Sequence, residues 1–198
     1  MESAKPDDLL ETHSDPFKSR CALLVSLLAM VLALASLGGS NASKEATMHN
    51  ILASNAYAFY QAKNIRLNDL NLAAQTLEGI ANTAGPLANE SAKQQLRQQA
   101  EAMRAKALSY DSEPSSGEGK KELLAKAKES EKIRDEAMQK GPYFDFAGLL
   151  LQLSIILISV VLITERRTLY LSGVSAAVLG TFLSLDGFYL FLKIPFLG

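Results

Sequence analysis

The chain has 198 residues, of which 48% are apolar, and a formal net charge of −1. This length allows one domain or two small ones. Residues 44–145 hold 14 basic and 14 acidic side chains, intermixed, so the chain has no basic patch suited to phosphate contacts. We therefore expect no nucleic-acid partner.

Three stretches contain no charged side chain: residues 21–43, 146–164 and 168–185, which are 23, 19 and 18 residues long. At roughly 1.5 Å per residue, a helix of about 20 residues crosses a hydrocarbon core of about 30 Å. Soluble helices are seldom apolar on all sides over such a length. The sequence predicts an all-α protein with three transmembrane helices.

The first span follows a polar N-terminal leader, residues 1–16. Asp15 is placed to cap a helix that begins at Pro16, so the first transmembrane helix is predicted at 17–39. The "SNAS" string at Ser40–Ser43 offers a signal-peptide cleavage site, but the apolar run exceeds a signal core and a charged leader precedes it. The favoured interpretation is that this segment is not cleaved and remains as a membrane anchor. The single cysteine, Cys21, has no disulfide partner in the chain and is interpreted as a small lipid-facing or packing residue.

The polar segment between the first two spans, residues 44–140, has helical periodicity with two breaks. Leu52, Ala56 and Phe59 recur at helical spacing, which predicts a helix here. Gly85 and Pro86 favour a turn near 82–86, and the Ser/Gly/Pro-rich stretch 111–119 predicts a flexible break. A chain that leaves and re-enters the membrane on one side needs one reversal. The arm lengths match best when that reversal lies at 82–86, which predicts a long, coiled-coil-like helical hairpin.

The second span is predicted at 143–164 and the third at 168–190. Gly141 and Pro142 suggest the end of one helix and the start of the next, and three aromatic residues are predicted at the bilayer surface: Tyr143, Phe144 and Phe146. Small residues every four positions in the third span predict close helix packing, on the other spans or on another copy: Ser172, Ala176, Gly180 and Ser184. Asp186 is either a functional acid in the membrane or a residue that reaches the headgroups.

Basic residues flank one end of the spans and serve as topology anchors: Lys18, Arg20, Arg166 and Arg167. Because short loops rich in Lys and Arg stay in the cytoplasm, this pattern predicts a cytoplasmic N-terminus and a periplasmic hairpin. Lys44 and Lys140 flank the other face, so the bias is modest.

Several strings resemble the bacterial membrane family known as domain of unknown function 4337: "NAYAFYQAKNIR" (55–66), "KKELLAKAKESEKIRDEAMQKGPYFDF" (120–146) and "LLLQLSIILISVVLIT" (149–164). The resemblance covers most of the chain after Arg20. Tyr57 stands where similar proteins commonly have Trp, and "SEPSSGEG" interrupts a region that is usually helical. The resemblance implies this architecture in a bacterial inner membrane and is silent on chemistry.

No catalytic constellation, cofactor motif or metal-ligand pattern is evident, so we expect no enzyme activity, no cofactor and no metal. His13 and His49 fall on opposite sides of the membrane in the predicted topology, and no glycine-rich phosphate loop is present. The densest polar-aromatic cluster forms a candidate interaction face: Asn55, Tyr57, Tyr60, Gln61, Lys63 and Arg66. The competing interpretation is that this cluster packs against the returning arm of the hairpin.

The sequence favours a structural or protein-interaction role, with the lipid bilayer and either a second copy or another membrane protein as partners. An envelope sensor or accessory subunit is the first alternative, although about 20 N-terminal residues and a tight loop leave no room for an output domain. A small transporter or channel component is the second alternative, disfavoured because the spans lack paired charges.

Overall fold

The computed structural model describes residues 16–83, 85 and 89–192. Within them the protein is all-α, with four helices: α1 (Pro16–Thr83), α2 (Glu90–Asp111), α3 (Lys120–Thr164) and α4 (Arg167–Tyr189). The predicted leader, apart from Pro16, and part of the predicted turn at 82–86 lie outside the described residues.

Three of these helices are long and apolar enough to cross a membrane: α1, α3 and α4. The chain divides into two compact units. The apolar unit comprises the residues up to Lys44 and those from Glu136 onward, and the polar unit comprises Glu45–Asp135.

The helix boundary expected at Gly141–Pro142 is absent, and α1 continues beyond residue 39, the predicted end of the first span. α1 is one helix of 68 residues that runs through Gly38 and Gly39, and α3 runs through Gly141 and Pro142. Gly38 is a packing residue, since a Cβ built on it would lie 2.5 Å from the Phe144 ring. Pro142 removes one backbone donor from a helix of 45 residues, and its neighbours Tyr143 and Phe144 are buried.

The apolar unit packs α1, α3 and α4 around a buried core. α1 contributes Cys21, Leu28 and Ala35, which recur every seven residues, while Leu151 and Ile158 come from α3. α3 and α4 run antiparallel, because Gly180 lies beside Leu151 and the later Gly187 lies beside the earlier Phe144.

In the polar unit, α2 and α3 each run antiparallel to α1. Arg104 bonds to Glu78 while the earlier Arg97 bonds to the later Asn82. In α3, Lys120 bonds to Asn64 while the later Glu131 bonds to the earlier Tyr57. Among the described residues of this unit, alanines supply nearly all of the buried apolar side chains: Ala53, Ala74, Ala81, Ala100, Ala107 and Ala127, with Leu123 the one larger residue. Small side chains let the helix backbones approach closely, but each buries little apolar surface.

Candidate functional site

The predicted interaction face divides between two sides of α1. Tyr57, Tyr60 and Lys63 are partly buried and point into the polar unit, whereas the remaining three are exposed: Asn55, Gln61 and Arg66. The six residues therefore do not form one surface. The inward half supports the packing interpretation, and the outward half remains available to a partner.

The inward side chains contact α2 and α3. The Tyr57 hydroxyl donates to a Glu131 carboxylate oxygen over 2.9 Å, and this bond raises the pKa of Tyr57 above its ordinary value of 10.0. Lys63 Nζ lies 5.1 Å from the centre of the Tyr110 ring, and Lys120 Nζ lies 5.9 Å from that of Tyr60. Such cation–π contacts help hold the three helices together.

The break between α2 and α3, Ser112–Gly119, is a hydrogen-bonded turn closed by one carboxylate. Glu122 accepts from the Ser112 hydroxyl over 2.6 Å and from the Glu113 N–H over 3.1 Å. Gly117 takes a positive φ of 65°, and its carbonyl accepts from Lys126 Nζ over 2.8 Å. The bond from Ser112, with that from Glu113, holds the pKa of Glu122 below its ordinary value of 4.5.

Acid should therefore loosen this turn. Because the folded pKa of Glu122 is lowered, its contribution to stability is fully present above pH 4.5 and is lost as pH falls through the folded pKa. Asp111, whose pKa is also lowered through its bond with Lys121, acts in the same direction. We expect the free energy of unfolding, measured by circular dichroism, to decline more steeply below pH 4.5 in the native protein than in Glu122→Gln. Parallel declines would show that the Glu122 carboxylate does not close the turn.

A cleft of about 310 Å³ lies beside this turn. Its lining includes Phe59, Leu123 and three charged residues: Lys63, Glu118 and Lys126. Lys63 Nζ is 4.0 Å from a Glu118 carboxylate oxygen, so charges of both signs face the cleft. Over the described ranges, no group of three or more His, Cys, Asp or Glu residues is placed to hold a metal ion.

The predicted packing stripe of α4 lies mainly against α3. Ala176, Gly180 and Ser184 are buried, while Ser172 is exposed. A Cβ on Gly180 would lie 2.9 Å from Leu151 Cγ and 3.1 Å from the Leu151 backbone nitrogen. The four-residue spacing missed three buried members, Gly173, Ala177 and Gly187. A spacing of alternating four and three residues finds them: 173, 177, 180, 184 and 187.

The predicted aromatics at the start of the second span have different surroundings. Tyr143 and Phe144 are buried, and Phe146 is 40% exposed. The Phe144 ring packs edge-on to that of Phe188, with centroids 4.9 Å apart, and lies against Gly38. Two of the three rings thus pack inside the apolar unit.

The topology anchors gather at one end of the apolar unit. Lys18 Nζ forms an ion pair with Glu165 over 3.2 Å, which joins the start of α1 to the connection between α3 and α4. That connection turns sharply, because Glu165 has a left-handed backbone with a φ of 53°. The other three anchors are exposed and lie within two residues of Lys18 or Glu165 in the sequence: Arg20, Arg166 and Arg167.

Asp186 is 1% exposed and holds the turn after α4. One of its carboxylate oxygens accepts from the Leu192 N–H over 2.9 Å, and the Leu192 carbonyl accepts from the Tyr143 hydroxyl over 2.7 Å. Leu190 ends the helix in a left-handed conformation. The second oxygen, Oδ2, is buried without a hydrogen-bond partner in the part of the chain that the structure describes. The sequence did not predict that this acid ties down the segment after α4.

Comparison with known proteins identifies the family and nothing beyond it. A family model described as "Domain of unknown function (DUF4337)" matches residues 17–190. This match confirms the resemblance carried by the strings at 55–66, 120–146 and 149–164. Neither the curated proteins nor the solved structures yield a match.

Proposed function

We propose that the chain, which belongs to the family of domain of unknown function 4337, is a non-catalytic membrane anchor that presents a helical hairpin to a protein partner. Its setting is a bacterial inner membrane, with α1, α3 and α4 as spans. The observation that carries the proposal is the contrast between three membrane-length apolar helices and a polar unit whose helices run antiparallel. In this proposal the polar unit is the helical hairpin that the anchor presents to its partner.

The geometry of the anchor residues supports a cytoplasmic N-terminus. The Lys18–Glu165 ion pair brings the start of α1 and the α3–α4 connection to the same end of the apolar unit. That end carries the four basic anchors, because they lie in or next to these two segments of the sequence: Lys18, Arg20, Arg166 and Arg167. Short segments rich in Lys and Arg are retained in the cytoplasm, so the hairpin is assigned to the periplasm.

The interaction role rests on the hairpin surface. Its buried apolar side chains are mostly alanines, and larger apolar side chains remain exposed, among them Met48, Ile51, Phe59 and Leu108. Exposed large apolar side chains on one unit favour a protein that buries them against a partner.

Thiol labelling of intact cells tests the anchoring and the orientation. In a Cys21→Ser background, a single cysteine replaces either exposed Ser115, in the α2–α3 turn, or exposed Thr168, near the start of α4. We expect a membrane-impermeant reagent to label the Ser115→Cys variant in intact cells and the Thr168→Cys variant only after lysis. The reverse pattern would place the hairpin in the cytoplasm, and labelling of both in intact cells would contradict a membrane between them.

A further inference from the structure

One outward face of α1 in the polar unit carries no charge and is mostly apolar. From Ala46 to Ala62 the chain has no Asp, Glu, Lys or Arg, although the polar unit is otherwise rich in charge. On this face Met48, Ile51 and Ile65 are 62%, 54% and 60% exposed. The segment follows Lys44 and Glu45, outside the charge-free run of the first span, so lipid tails do not account for it.

The exposed residues on this face follow a heptad pattern. Alternating steps of three and four residues connect six exposed positions, which we name the seam: Met48, Ile51, Asn55, Ala58, Ala62 and Ile65. In heptad terms Met48, Asn55 and Ala62 are a positions, and the other three are d positions. The seam is distinct from the buried stripe of Ala53 and Ala74 on the same helix. α1 therefore carries one helix-packing stripe that is covered within the chain and a second that is exposed.

The pattern specifies the chemistry of the partner. Apolar and small a and d residues pair with an equivalent helix through knobs-into-holes packing, and a single Asn at an a position fixes the register of a parallel pair. Asn55 occupies such a position. Gln61 lies at the g position that precedes Ala62. In a parallel pair a g residue meets the e residue five positions later on the partner helix, which is Arg66 of the second copy. Asp69, the next a position, is the first charge in the pattern and ends the seam, because two copies would bring like charges together.

We infer that the seam is a homotypic interface on which α1 of a second copy of this chain pairs in parallel and in register. The inference rests on the proposed membrane anchoring, since two copies inserted in one bilayer enter this segment with the same chain direction. The seam covers 18 residues, roughly 27 Å at 1.5 Å per residue, which is short for a coiled coil. Confinement to one bilayer raises the effective concentration of the copies and compensates for that short length.

Cysteine cross-linking in native membranes tests the pairing. In the full-length Cys21→Ser protein, Ala58→Cys puts a thiol at a d position, and Ala105→Cys puts one at an exposed alanine of α2 as the matched control. Mild oxidation should convert the Ala58→Cys protein to a disulfide-linked dimer several-fold more completely than the control. Equal cross-linking of the two, or a cross-link from Ala58→Cys to a different protein, would overturn the inference.

A second cysteine position tests direction. In a parallel pair the two Met48→Cys thiols also meet, so this variant should cross-link as well as Ala58→Cys does. In an antiparallel pair centred on Ala58 the two Met48 positions are 20 residues apart along the helix, about 30 Å. Cross-linking at Ala58→Cys alone would therefore contradict the parallel register.

A disrupting variant shows whether the seam drives the association. Ile51→Glu places a charge at an exposed d position, so it should abolish the Ala58→Cys cross-link while helicity, followed by circular dichroism, stays unchanged. If the Ala58→Cys cross-link persists when Ile51→Glu is added, the inference is contradicted. Alkaline carbonate extraction of the same membranes tests the anchoring separately: release of the protein refutes the proposed function, whereas retention without cross-linking refutes only the seam.

Discussion

Gly180→Ala lowers the stability of the apolar unit, and Gly180→Leu lowers it further. A Cβ at residue 180 would lie 2.9 Å from Leu151 Cγ and 3.1 Å from a backbone nitrogen, so α4 must move away from α3 to admit it. Overpacking of this kind costs about 1–3 kcal/mol for a small addition. Separation of the helices also weakens the 2.7 Å hydrogen bond from the Ser154 hydroxyl to the Gly173 carbonyl. Unfolding in mixed detergent micelles measures the loss.

The control for Gly180 is a glycine of α3 that has room. A Cβ on Gly148 would meet only Leu32 Cδ1, at 3.9 Å, an ordinary contact distance. Gly148→Ala should therefore be neutral or stabilise the protein by up to about 1 kcal/mol through helix propensity. Similar destabilisation by the two alanine variants would show that Gly180 is not a close-packing site.

Ala100→Leu destabilises the polar unit by about 1–3 kcal/mol, the usual cost of overpacking a core. Ala100 is fully buried, and nearly all of the buried apolar side chains described in this unit are alanines, so we expect no room for three more carbon atoms. A leucine here must separate α2 from its neighbours and lengthen bonds such as the 2.7 Å contact between Arg104 and Glu78. Thermal unfolding followed by circular dichroism reports the change.

Ala105 supplies the matched control for Ala100. It lies five residues later in α2 and is exposed, so Ala105→Leu should change stability by no more than about 0.5 kcal/mol. If Ala100→Leu is equally harmless, the alanine positions are not in close contact, and the description of the polar unit as an alanine-packed core is wrong.

The three long apolar helices were the most predictable part of the chain. A run of about 20 residues without charge has few alternatives to a membrane-length helix, and the end of α3 at Thr164 and the start of α4 at Arg167 follow the charges of Glu165 and Arg166 closely. The all-α class and the family resemblance also required only local patterns. These features are determined by residues close together in the sequence.

Features that depend on distant contacts were harder to predict. Glycine has a low helix propensity, and only the position of the Phe144 ring shows that Gly38 is a packing residue. Leu52 and Phe59 recur at helical spacing, yet both are exposed, and the buried residue beside Leu52 is Ala53. Hydrophobic periodicity gives most weight to large side chains. When helices pack through alanines, it therefore points to residues other than the buried ones.

The interaction cluster shows the same limit. Helical spacing placed Tyr57 and Tyr60 on one candidate surface, but their direction depends on partners 50 or more residues away, Glu131 and Lys120. Asp186 was recognised as unusual because it is an acid at the end of an apolar run. Its bond to Leu192 follows from the left-handed turn at Leu190, which no local signal predicts.

The short connection between α3 and α4 bears on how the protein is made. Only Glu165 and Arg166 separate the two helices, and α4 is the least apolar of the three candidate spans. An arginine at the centre of a membrane costs about 2.5–3.5 kcal/mol, so the Arg pair resists crossing. In the proposed membrane anchor, a connection this short therefore keeps α4 next to α3 while the two helices insert. In the proposed orientation, we expect the two helices to insert together as a helical pair, with the arginines on the cytoplasmic side.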